Sequence, residues 1–133
     1  LSSGKWDTLF VCVQQVWKTS GSINMKVNIN DIGGEVVKQD DRYTVTDNKT
    51  LNNLVVSSTD LYANKSTSGH FHAGQEEVYY FIKGSGTMDI ERDTFPVQAG
   101  DVVLIPDGAF HRVHAGDNGC YFVCVFDGKR VPF

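Results

Sequence analysis

Four histidines, at positions 70, 72, 111 and 114, fall into two short stretches of this chain. The first, residues 69–84, reads GHFHAGQEEVYYFIKG, and the second, residues 100–114, reads GDVVLIPDGAFHRVH. Histidines placed for packing alone would not be expected to cluster so. His70 and His72 are separated by one residue, so on a β-strand both imidazoles project to the same side. Glu77 follows five positions after His72 and opens the apolar run Val78-Tyr79-Tyr80-Phe81-Ile82. Neutral imidazole and carboxylate oxygen are ordinary ligands for divalent Zn, Fe, Mn and Ni, so this group suits one such ion per chain. Which of the four metals is bound is not fixed by the ligand types, because selectivity depends on geometry and supply.

The elements that must position these residues read as strands. From Met25 onward the chain alternates short β-like runs with turn residues: Lys26–Ile29, Glu35–Lys38, Arg42–Thr46 and Leu54–Tyr62, then the run from Glu76 to Lys83. Gly84-Ser85-Gly86 reads as a turn into Thr87–Ile90, and Glu91-Arg92-Asp93 as a hairpin turn into Thr94–Val97. Asp101–Ile105 stops at Pro106, which cannot donate to a ladder. Phe110–His114 then returns, Gly116–Gly119 turns, and Cys120–Phe126 closes the set. Many short strands with Gly-rich turns and no helical periodicity predict an all-β sandwich or barrel in a single domain over 25–133. On the run from Glu77, Tyr79 and Phe81 share the glutamate's face. Tyr79 is therefore either barrel-core packing or a phenol aimed at bound substrate. His114, three positions past His111, falls on the opposite face as a rim or surface histidine.

Composition removes several function classes. Charged residues are 21% and hydrophobic ones 41%, the balance of an ordinary globular domain. A formal net charge of −4 with no Lys/Arg cluster leaves no footprint for nucleic acid or an anionic membrane. No apolar run approaches the length needed to span a bilayer. Leu9–Val13 is too short for a signal-peptide core, which points to a cytoplasmic location. The sequence does not begin with Met, and residues 1–24 read as an extension, either non-native or a strand (Thr8–Trp17) exchanged with a partner subunit. Three cysteines argue against a disulfide framework. Cys120 and Cys124, four apart on one strand, would lie about 13 Å from each other, too far to bridge. All three cysteines, Cys12 included, read as buried free thiols.

Together the two histidine stretches resemble the paired motifs of the cupin superfamily. The first motif is matched by His70-x-His72, Glu77 and Gly84, and the second by Gly100-x5-Pro106-x-Gly108-x2-His111. The resemblance covers roughly residues 54–126 and departs from the family at Ala63/Asn64, where a leading glycine is usual, and at Ala115, where Asn is usual. It implies a double-stranded β-helix, or jelly-roll barrel, and a metal held by His70, His72, Glu77 and His111. It also implies a homodimer. Within the superfamily, Thr67-Ser68-Gly69-His70-Phe71-His72, Glu77-Val78-Tyr79 and Gly84-x-Gly86 are most similar to the archaeal-type glucose-6-phosphate isomerases. That likeness implies Thr67 and Gly69, with Lys65 adding charge, near a substrate phosphate, and Tyr79 near the sugar.

Four protein ligands on an octahedral ion leave two positions for a chelating substrate. The leading expectation is a metal-dependent isomerase of a sugar or sugar phosphate, working through a metal-held enediolate. With Glu77 as a ligand, the base would be Tyr79 or a metal-bound hydroxide. Two other readings stay open: an Fe(II) dioxygenase, favoured by an uncharged mouth, and a non-catalytic sugar-binding protein.

Overall fold

A computed structural model describes residues 25–128, and the expectations for residues 1–24, including Cys12, lie outside the described residues. The described chain is all-β. Seven strands make one antiparallel sheet that curls into a jelly-roll barrel: β1 (Glu35–Gln39), β2 (Tyr43–Asn48), β3 (Leu54–Leu61), β4 (Glu77–Ile90), β5 (Asp93–Gln98), β6 (Val102–Ile105) and β7 (His111–Asp127). The hydrogen-bonded order is β1-β2-β3-β7-β4-β5, with β6 also paired to β4. Alternating side chains fill the interior, as a half-buried sheet requires: Tyr43 and Val45 from β2, Tyr79 and Phe81 from β4, and Phe122, Cys124 and Phe126 from β7. Tyr79 stacks on Phe122 with ring centroids 4.8 Å apart, and Phe81 meets the same ring at 5.2 Å. Both described cysteines, Cys120 and Cys124, are buried and neither is in a disulfide, as expected.

Two expected turns are not turns. Gly84-Ser85-Gly86 lies inside β4, and Gly116–Gly119 lies inside β7, so each pair of expected strands is one long strand. The reason is that β4 and β7 pair with each other from Val78↔Val125 to Ile90↔His111, with irregularities between Phe81 and Lys83 and between Gly84 and Gly86. Extra residues in a ladder bend the strand and change which side chains face inward. On β4 the buried positions are 77, 79 and 81 before the bulges but 88 after them. On β7 they are 111 and 113 before and 119, 120, 122, 123, 124 and 126 after, of which 113, 120, 122, 124 and 126 join the core cluster. The bulges thus let one continuous ladder present both Glu77 and His111 to the interior.

The expected first strand, Lys26–Ile29, forms only an isolated bridge between Asn28 and Asp31. Its apolar residues Val27 and Ile29 remain exposed, so the alternation there has no sheet edge among the described residues to complete it.

Candidate metal centre

Glu77 and His111 reach the centre from opposite ends of the β4–β7 ladder, and the loop before β4 brings the other two imidazoles. That loop is fixed by backbone hydrogen bonds: His70 N–H donates to His111 O (3.2 Å), His111 N–H to His70 O (3.0 Å), and Gly108 N–H to His72 O (3.2 Å). His70 and His111 rings therefore lie 4.5 Å apart, centroid to centroid, and His70 and His72 4.6 Å apart. One ring nitrogen from each of His70, His72 and His111 falls within 4.8 Å of the others. Nitrogens ligating one ion at about 2.1 Å would be roughly 3–4 Å apart, so small side-chain rotations close the set. These three histidines are positioned to bind a metal ion.

The outer contacts of the rings favour the same conclusion. His111 Nδ1–H donates to Ala109 O (2.9 Å), and His70 Nδ1–H to Ser68 O (3.1 Å), so in each neutral ring Nε2 keeps its lone pair. Fixing the tautomer from the far nitrogen is how proteins orient ligating imidazoles. Burial, then the neighbouring His111 and His72, push the His70 pKa down, favouring the neutral form that can ligate. His111 Nε2 and Glu77 Oε2 stand 3.1 Å apart, with both side chains almost fully buried. Neither atom makes a well-formed hydrogen bond among the described residues. Buried polar atoms left in that condition are costly, and a shared cation would satisfy both. Burial raises the Glu77 pKa, but the adjacent imidazoles, His111 foremost, outweigh it and hold the group below its ordinary value. Glu77 is thus held as a carboxylate, the form that can ligate a metal.

A cavity of about 40 Å³ opens beside this centre. That is room for a few water-sized groups. Thr67, His70, Glu77 and Tyr79 line it, together with Tyr43, Ser57 and Thr59. The Tyr79 ring lies edge-on to His111, 5.7 Å between centroids, so Tyr79 belongs to both the packed core and the cavity wall. Of the residues expected near a phosphate, Thr67 borders the cavity, and its Oγ accepts from Val113 N–H (3.0 Å). Lys65 and Gly69 are exposed and are not part of that wall. A Cβ on Gly69 would overlap the Phe110 ring, so the missing side chain there makes room for the aromatic.

Sequence reasoning did not single out the contributions of β2 and β3. Tyr43, Ser57 and Thr59 carry no motif, and the one available signal was the two-residue alternation that turns Tyr43 and Val45 inward. Nor did it anticipate that Arg42 and Lys38 stand over the Tyr43 ring at 5.0 and 5.7 Å. Arg42 is held by Asp40 (2.8 Å) and donates from Nη1 to Ser68 Oγ (3.0 Å), two residues from His70. His114 lies on the opposite face from His111, as expected.

A family model described as a cupin domain matches residues 59–126. Among curated proteins, the glucose-6-phosphate isomerase of Thermococcus kodakarensis is 31% identical over 110 residues, covering 69% of this chain and 58% of that protein. Two further Thermococcus glucose-6-phosphate isomerases match, and 52% of each is covered, so the chain spans little more than half the length of these relatives. Among solved structures, an oxalate decarboxylase of Bacillus subtilis superposes with a TM-score of 0.70 at 24% identity, over 82% of this chain and 31% of that one. KdgF from Halomonas superposes with a TM-score of 0.67 at 13% identity, over 80% and 96%. At these identities the superpositions establish the fold alone.

Proposed function

The chain belongs to the cupin family, and from that membership we propose that it is a metal-dependent isomerase of a sugar or sugar phosphate. The observation that carries this reading is the cluster of three imidazoles beside the buried Glu77 carboxylate, with His70 and Glu77 opening onto one small cavity that Thr67 and Tyr79 also line. In this proposal His70, His72, His111 and Glu77 hold one divalent ion (Mn, Fe, Zn or Ni). When bound, the ion supplies Lewis-acid polarisation of a carbonyl, which acidifies the neighbouring C–H. The chain's own residues do the rest. Thr67 orients a substrate oxygen from the wall, and the Tyr79 phenol moves a proton between adjacent carbons. The cavity admits only the reacting carbons, so the remainder of the sugar rests at its mouth.

Relatedness to the Thermococcus glucose-6-phosphate isomerases supports the reaction class. The exposed strip of Tyr80, Val102 and Leu104 on the outer face supports the expected homodimer.

The test is to load the protein with each of the four metals in turn and follow glucose 6-phosphate in D2O by NMR. Conversion to the ketose with deuterium entering at C1 of the ketose is expected, and oxygen uptake with Fe(II) in place of isomerisation would overturn the assignment. Tyr79→Phe is expected to lower kcat by about a hundredfold or more, the usual range for removing a general acid–base group, with metal content unchanged. Retained kcat in that variant would return Tyr79 to a packing role.

A further inference from the structure

On the outer face of the barrel, away from the metal centre, three side chains form a second constellation. Ser66 meets β7 in an isolated bridge with His114. Its Oγ lies 2.7 Å from His114 Nδ1, and His114 Nε2 lies 2.8 Å from Asp89 Oδ2. Register explains the meeting. Thr87 is opposite His114 and Asp89 opposite Arg112, so His114 and Asp89 are diagonal neighbours on one face of the β4–β7 ladder. Thr94, opposite Asp89 on β5, donates its hydroxyl to the other carboxylate oxygen at 2.7 Å. Met88 and Val113, which alternate with these residues, are buried in the core, so the barrel wall separates this cluster from the cavity.

The roles follow from donor and acceptor capacity. A carboxylate only accepts, so in the neutral imidazole Nε2 carries the hydrogen and Nδ1 presents its lone pair to Ser66. The Ser66 hydroxyl must then donate. A hydroxyl directed into an imidazole whose other nitrogen is tied to a carboxylate is the arrangement of an activated nucleophile. The ring is used in the reverse sense to the serine-protease triad, Nδ1 rather than Nε2 facing the hydroxyl, but either nitrogen serves as a base. His114 and Asp89 keep 33% and 25% side-chain exposure, which leaves the cluster open to a small molecule. Arg112, on the same face, donates from Nε to Thr67 O at 2.9 Å, placing a cation beside the residue that follows Ser66.

We propose that Ser66 is an acyl-accepting nucleophile, activated by His114 and Asp89, for small activated carboxylic esters. Ser66 Oγ bonds to the acyl carbon as its proton passes to His114 Nδ1. The bond to the leaving alcohol breaks, and the departing oxygen takes that proton. Water, deprotonated at the same nitrogen, then cleaves the seryl ester to the free acid and restores the hydroxyl. Ester carbon, oxygen and protons balance without any further reactant, and no metal takes part.

Intact-mass spectrometry after exposure to p-nitrophenyl acetate and to a fluorophosphonate tests this directly. One adduct per chain, mapped to Ser66, is expected with the metal centre loaded or stripped. Ser66→Ala should take no adduct, and His114→Gln should react on the order of a hundredfold more slowly, while both keep wild-type metal content and circular dichroism. Unlabelled wild-type protein overturns the proposal, as does equal labelling of Ser66→Ala. Labelling of Ser66 at the same rate in wild type and His114→Gln overturns the activation by His114. None of these readouts depends on isomerase activity.

Discussion

His111→Ala is expected to strip the protein of its metal and to destabilise the metal-free fold, whereas His70→Ala removes the metal and leaves the fold nearly intact. Both rings offer a ligand nitrogen to the same cluster, so losing either weakens the metal by on the order of a thousandfold, roughly 4 kcal/mol. Their surroundings differ. His70 is only partly buried, while His111 is 2% exposed and faces the Glu77 carboxylate at 3.1 Å. Removing His111 leaves that carboxylate buried opposite an apolar void, and leaving a buried acceptor without its neighbour costs about 1–3 kcal/mol, more for a charged group. Elemental analysis of untagged protein purified without chelator measures the first effect, and calorimetry of the stripped variants the second. About one metal per chain in His111→Ala would sink the assignment of the centre. Equal melting temperatures for the two stripped variants would show that Glu77 does not depend on His111.

The candidate centre was legible because its residues sit in stretches whose spacing reports local geometry. The shared parity of Glu77, Tyr79 and Phe81 survives folding unchanged, and His70 and His72 still meet at one cluster although they lie in the loop before β4 and not on a strand as expected. What folding adds comes from partners distant in sequence. Gly84 and Gly119 adopt φ of +78° and +75°, a conformation that a tight turn and a β-bulge both demand. Local sequence therefore could not separate the two, and reading each as a turn cut β4 and β7 in half. Each half still had the right inward face, because alternation holds on either side of a bulge. The same limit hid the cavity wall from β2 and β3, and it hid Ser66 and Asp89. These two lie 48 and 25 residues from His114, and only strand register brings them together.

If the glycines serve close approach of two strands, Gly84→Ala should be far more damaging than an alanine at a glycine of similar φ with free space around it. A Cβ at Gly84 would overlap the carbonyl oxygen of Gly119, and that atom is backbone, so the ladder itself must move. At Gly74 φ is +83°, yet nothing lies within 4 Å of the place a methyl would take. Gly74→Ala then carries only the left-handed strain, about 1 kcal/mol. Gly84→Ala adds the displacement of β7 and should reach about 3–4 kcal/mol, a fall in Tm on the order of 15 °C. The variant should also bind metal more weakly although no ligand is changed. Glu77 stands on one side of this bulge and His111 pairs with Ile90 on the other, so the bulge sets how the two ends of the ladder meet. Thermal melts and metal titrations of the two variants side by side provide the check. Equal losses would mean that β4 and β7 accommodate a methyl at their bulge, and that the parity change delivering His111 to the interior does not depend on glycine there.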